Sequence, residues 1–101
     1  MLDWVSYPVV LSPSMLHIGR MAKPSPTHSG NPLLVSFGET VRAVRGDLGM
    51  SQEALALAAE LDRSYVGGIE RGEHNLTLIN VAKVAEALEL SPSELLKRSG
   101  S

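Results

Sequence analysis

The chain has no cysteine, which excludes disulfide staples and thiolate metal sites and makes a reducing cytoplasm its natural compartment. It also lacks any run of roughly 18 apolar residues, the length needed to cross a bilayer as a helix. Its opening, MLDWVSYPVVL, carries Asp3 where a secretory signal would carry basic residues. Secretion and membrane insertion are therefore not expected. The three histidines, His17, His28 and His74, lie far apart without a His-x-x-x-His spacing, and no glycine-rich phosphate loop follows a strand. Ser64 and Glu70 have no histidine at helical spacing to serve as a base. No enzyme activity, metal or cofactor is expected.

An excess of positive charge is missing as well. From residue 33 onward seven basic side chains face ten acidic ones, a net charge of about −3. A polyanion should be repelled by that average, so binding to one requires segregation, with arginines and helix N-termini on one side and acids on the other.

What is present is enough for one small domain. The 101 residues are 44% hydrophobic, an ordinary proportion for a globule with a single core. Residues 1–32 contain Pro8, Pro13, Pro24, Pro26 and Pro32 and show no sustained helical period, which marks them as a flexible extension. Trp4, Tyr7, Val9, Val10 and Leu11 form an apolar patch within it, either part of a loose leader or a docking segment for a partner protein. Met15 and Met21 are alternative starts.

From Leu34 the pattern turns helical. Phe37, Val41, Val44 and Leu48 form one apolar stripe that ends before Gly49. Ser51 can cap a second helix over 52–59, with Leu55 and Ala59 on its inner side. Asp62 can cap a third, running to about Arg71 and closed by Gly72. Thr77 can cap a fourth, striped by Leu78, Val81, Ala82, Ala85 and Leu88. Ser91, Pro92 and Glu94 read as a capping box with proline at the first helical position, opening a fifth with Leu95 and Leu96. The expectation is an all-α chain of five helices.

The segment SQEALALAAELDRSYVGGIERG holds the functional signal. Its apolar positions Leu55, Ala59, Leu61, Val66 and Ile69 change phase once, near Leu61 and Asp62, which makes two short helices joined by a tight turn. In that layout one helix rests on a duplex while the next enters its major groove. Together with NLTLINVAKVAEALEL, the segment resembles the Cro/repressor-type helix-turn-helix domains, and among them the small controller proteins of bacterial restriction-modification systems. Ser-Gln-Glu, Leu-Ala and Ile-Glu-Arg-Gly all fall at that family's spacing, and the resemblance spans roughly residues 34–96. Glu60 departs from it, standing where many relatives have a turn glycine and requiring a non-glycine residue in the turn.

The resemblance implies a lambda-repressor-like domain over 33–98, between the extension 1–32 and a short tail 99–101. If the third helix lies in the groove, its first residues face base edges, and Arg63 can donate twice to guanine. Ser64 and Tyr65 are the further candidates for base contact, against local capping for Ser64 and a surface-covering role for Tyr65. Gln52 matches a position where the family contacts phosphate at a helix N-terminus, with Ser51 beside it. Asn75 is implied in the same way, and Arg42, Arg71 and Thr77 are further candidates for the phosphate backbone. Arg45 and Glu70 match a family pair in which an arginine late in the first helix holds a glutamate near the end of the third. Gly67 and Gly68 should destabilise a helix, and either close approach to the sugar-phosphate wall or close packing must offset that. His74 reads as a solvated loop histidine.

The expected function is that of a transcription regulator. It would bind double-stranded DNA as a homodimer on a palindromic operator with half-sites about 10 bp apart, and could regulate its own operon. Ile79, Leu90, Leu95 and Leu96 are candidates for the dimer interface. Two other readings compete: an antitoxin whose extension 1–32 wraps a partner protein, and a protein-interaction domain that has lost DNA binding, for which the acidic average argues.

Overall fold

The computed structural model describes residues 23–100. The apolar patch from Trp4 to Leu11, and the candidate starts Met15 and Met21, lie outside them. Among the described residues the five helices are α1 (Pro32–Asp47), α2 (Gln52–Ala59), α3 (Arg63–Glu70), α4 (Leu78–Ala87) and α5 (Pro92–Gly100). No strand occurs among the described residues.

α1 starts two residues earlier than its apolar stripe suggests. The Asn31 side chain accepts from the Leu33 amide at 2.8 Å, and Pro32 occupies the first turn, where its missing N–H costs nothing. Residues 24–31, which composition assigns to the loose extension, form a turn lying against the loop after α3. Phe37, Val41 and Val44 of the stripe are buried, but Leu48 falls on the helix C-cap and is 40% exposed.

The other ends follow local chemistry with three differences. Ser51 accepts from Ala54 N at 3.0 Å and Thr77 from Asn80 N at 3.1 Å, as N-caps do. Asp62 stands at the N-cap of α3 but makes no capping bond, because its carboxylate accepts from the Ser64 hydroxyl instead. Ser91 accepts from Glu94 N at 3.1 Å, yet the Glu94 carboxylate pairs with Arg98 at 3.0 Å, so only half of the capping box forms. In the fourth helix, Leu78 points outward and Val84 takes an inner position beside Val81, Ala85 and Leu88. The turn after α2 is made by Glu60 in the left-handed region, φ 59° and ψ 43°.

α1 packs across α3 and α5, α2 across α3 and α4, and α4 against α5. Leu55, Ile69, Leu88, Leu95, Val41, Val66 and Val84 are the largest fully buried side chains among the described residues. The backbone of α1 reaches the end of α3 at Gly38, where a Cβ would overlap the Ile69 carbonyl oxygen. That close contact fixes the axis of α3 against the longest helix.

Candidate nucleic-acid interface

α3 is buried from Val66 to Glu70 and exposed at its first two residues, Arg63 and Ser64. Beneath it the anchor is ionic. Arg45 on α1 donates from Nε to Glu70 Oε2 at 2.6 Å and from Nη2 to Glu70 Oε1 at 3.1 Å, a bidentate pair, while its Nη1 reaches Met50 O at 2.8 Å. The Glu70 carboxylate hydrogen-bonded to it raises the Arg45 pKa further.

Glu70 also organises the outer face. Gln52 at the start of α2 donates from Nε2 to Glu70 Oε1 at 2.9 Å, which turns its Oε1 outward, where it accepts from Arg63 Nη1 at 3.4 Å. The structure therefore departs from the simple picture of Gln52 as a free phosphate donor, since its amide N–H is held by Glu70. Of the first amides of α2, that of Ala54 is taken by the Ser51 hydroxyl, and those of Gln52 and Glu53 have no intrahelical acceptor. Gly67 lies between these side chains, and a Cβ on it would stand 3.1 Å from Arg71 Nη1 and 3.5 Å from Gln52 Oε1. Arg63, Gln52 and Arg71 thus form a polar arc over Gly67, whose backbone the Gln52 and Arg71 side chains cover.

The remaining candidates are placed unequally. Ser64 is exposed, but its hydroxyl is engaged by Asp62. Tyr65 is half-buried in the seam between α3 and α4, where its hydroxyl accepts from Asn80 Nδ2 at 3.0 Å and its ring lies 4.7 Å from that of His74. So placed, the ring covers the seam and its hydroxyl is already engaged within the domain. Arg71 is paired with Glu73 at 2.8 Å and keeps 61% of its side chain exposed. The Arg71 hydrogen bond holds the Glu73 carboxyl below its ordinary range. Arg42, Ser51, Asn75 and Thr77 are all exposed, Ser51 and Thr77 with their hydroxyls used as caps.

His74 requires a correction. It is 7% exposed, packed under α3 against Tyr65, and a Cβ on Gly68 would overlap its imidazole. Burial lowers its pKa, nearby Arg71 lowers it further, and Glu73 opposes both. The packing that offsets Gly68 is thus with a loop side chain, and the sequence offers no signal pairing the two residues. Asn80, which holds Tyr65, was likewise not readable as a site residue.

The acids divide into two groups, those that touch the arc and those that lie away from it. Glu70 and Glu73 are paired with arginines, whereas Glu60, Glu86 and Glu89 gather with Lys83 round a depression at the ends of α2 and α4. Another correction concerns the expected dimer surface, because Leu95 is fully buried in the monomer core and Leu90 is half-buried against it. Ile79 (58%) and Leu96 (44%) are exposed, together with Leu33 (64%) and Leu78 (81%), which the apolar periodicity had not marked for this surface. Leu33 and Leu96 line one apolar groove with Phe37, Leu76 and Val81.

The helix-turn-helix family matches residues 41–95. The chain is 42% identical over 67 residues to Control protein C.BamHI of Bacillus amyloliquefaciens, covering 65% of this chain and 83% of that protein. It superimposes on the restriction-modification controller protein C.AhdI from Aeromonas hydrophila with a TM-score of 0.60 at 53% identity, covering 61% of this chain and 94% of the other. It also matches C.Esp1396I bound to a 25 base pair operator site, with a TM-score of 0.59 at 36% identity and coverage of 66% and 92%.

Proposed function

The chain belongs to the helix-turn-helix family, and on that premise we propose that it is a transcription regulator of the restriction-modification controller type, binding operator DNA in a sequence-specific way. The observation that carries this is the polar arc: Arg63 stands exposed at the head of α3, within reach of Gln52, with the exposed Arg71 across Gly67 from them. α3 enters the major groove, and Arg63 donates to guanine O6 and N7. The N-terminus of α2, with Ser51 and Gln52, meets one phosphate run, while Arg71, Asn75 and Thr77 meet the other and Arg42 approaches the backbone from α1. Tyr65 shapes the surface of α3 and takes no base.

Two protomers are needed for useful specificity, since a net-acidic domain gains little from nonspecific attraction. The dimer joins the exposed apolar residues Leu33, Leu78, Ile79 and Leu96. It sets the two α3 helices one turn of DNA apart, about 34 Å. The protein acts in the cytoplasm without catalysis, and its own concentration and dimerisation set promoter occupancy, including that of its own operon.

Selection of bound duplexes from a random pool with the full chain tests the reading. A two-fold symmetric consensus with guanine in each half is expected. Enrichment of no sequence overturns it.

A further inference from the structure

Residues 24–31 lie outside the family match, which begins at residue 41. They nevertheless make specific contacts with the DNA-facing part of the domain. Ser25 N donates to Glu73 O at 2.8 Å and Gly30 N to Gly72 O at 2.9 Å, so both ends of the segment hold carbonyls of the loop that leaves α3. The segment is closed on itself as well: Ser25 Oγ accepts from His28 N at 3.1 Å, Ser25 O from Ser29 N at 3.1 Å, and His28 O from Asn31 N at 2.9 Å. Gly30 makes the bend into α1 at φ +84°.

The loop so held is pinned from both sides. On its inner side His74 packs beneath Gly68 and against Tyr65, and Gly72 meets Val35 of α1. On its outer side, among the described residues, only the 24–31 segment supplies donors to the Gly72 and Glu73 carbonyls. The same loop carries Arg71 and Asn75, and Asn75 shares a shallow depression with His28 and Asn31. Groups meant to meet a phosphate gain most when their backbone is already fixed, because the ordering cost then falls on folding and not on binding.

We propose that residues 24–31 are a strap that positions Arg71 and Asn75 for the DNA backbone. Ser25 and Gly30 are its positioning residues, acting through the loop and touching no DNA. This rests on the operator-binding reading above. The strap sets backbone contacts and leaves base choice to Arg63.

Two substitutions in the full chain test it. Ser25→Pro removes the N–H that reaches Glu73, and Gly30→Ala strains the bend while its added methyl meets nothing within 4 Å. Gly46→Ala, in an equally open position on α1, is the control. With the duplex recovered by selection, each strap variant should bind about fivefold more weakly, with a slope of log K against log salt smaller by about 1 and an unchanged consensus. A purely structural role would lower thermal stability and leave that slope alone. Hydrogen exchange read without DNA should show the Glu73 amide, which donates to Gly68 O at 2.9 Å, exchanging about tenfold faster in both variants and not in the control. Unchanged affinity and slope overturn the strap while leaving the operator reading intact. If no duplex is ever enriched, unchanged exchange at Glu73 overturns it alone, and faster exchange upholds the positioning of the loop.

Discussion

Arg45 and Glu70, 25 residues apart, meet as a bidentate ion pair at 2.6 and 3.1 Å, with only 3% of the glutamate side chain exposed. The pair ties the end of α3 to α1, and the same carboxylate sets the orientation of the Gln52 amide. Removing one partner leaves the other charge buried and unpaired, which costs on the order of 3 kcal/mol. Glu70→Ala should therefore lower the melting temperature by more than 10 °C, at about 4–8 °C per kcal/mol for a domain of this size. A thermal scan that moved by only a degree or two would refute the anchoring role.

Arg63→Ala should behave in the opposite way. The side chain is exposed and its bond to Gln52 is long, so stability should stay within about 0.5 kcal/mol. Operator affinity should fall by about 1–3 kcal/mol with relaxed choice at one base pair per half-site. Unchanged melting with lost discrimination, read by titration of single-base operator variants, is the expected outcome. Equal affinity for those variants before the substitution would assign discrimination elsewhere.

These two residues show what the sequence could and could not reveal. Helix periods and N-cap residues are local, so α2 to α5 and the exposed start of α3 were legible from spacing alone. The Arg45–Glu70 partnership came from family resemblance, because 25 residues of intervening chain hide it from any periodicity. Leu95 and Leu96 carry the same side chain, and only the rotation of α5 against α1 buries one and exposes the other. His74 looked like loop because burial of a polar ring depends on a gap opposite, here the missing side chain of Gly68.

That gap supplies a sharper contrast between adjacent glycines. Gly68→Ala drives a methyl into the His74 ring, so it should destabilise by about 1–3 kcal/mol despite the better helix propensity. Gly67→Ala meets the flexible end of Arg71 at 3.1 Å and Gln52 Oε1 at an ordinary 3.5 Å, and should stabilise by up to about 1 kcal/mol. Combining Gly68→Ala with His74→Ala should recover part of the loss, a coupling that a double-mutant cycle by urea unfolding measures. Additive effects would disprove the contact.

The apolar surface makes a separable claim. Ile79→Asp and Leu96→Asp place a charge on exposed positions, so each should give a folded monomer with weakened operator binding. Leu95→Asp buries an unpaired charge in the core and should unfold the chain outright. Sedimentation of the three variants beside circular dichroism distinguishes these outcomes, and a dimer surviving both exposed substitutions would move the interface to another face.

The buried histidine gives the stability a pH dependence whose sign is fixed. Burial holds the His74 pKa below its ordinary value of 6.5, so the unfolded chain binds a proton more readily than the folded one. The stabilisation is complete above the unfolded pKa and is lost as pH falls through 6.5 toward the lowered folded value. Tyr65 and Asn80 face the ring region from α3 and α4 as neutral groups, Arg71 opposes protonation, and Glu73 favours it too weakly to reverse the sign. Denaturant midpoints should therefore drop between pH 7.5 and 5.5. His74→Gln should be less stable at pH 7.5 but show a flatter profile across that interval. A variant profile as steep as that of the unmodified chain would assign the pH dependence to other groups and leave His74 a packing residue only.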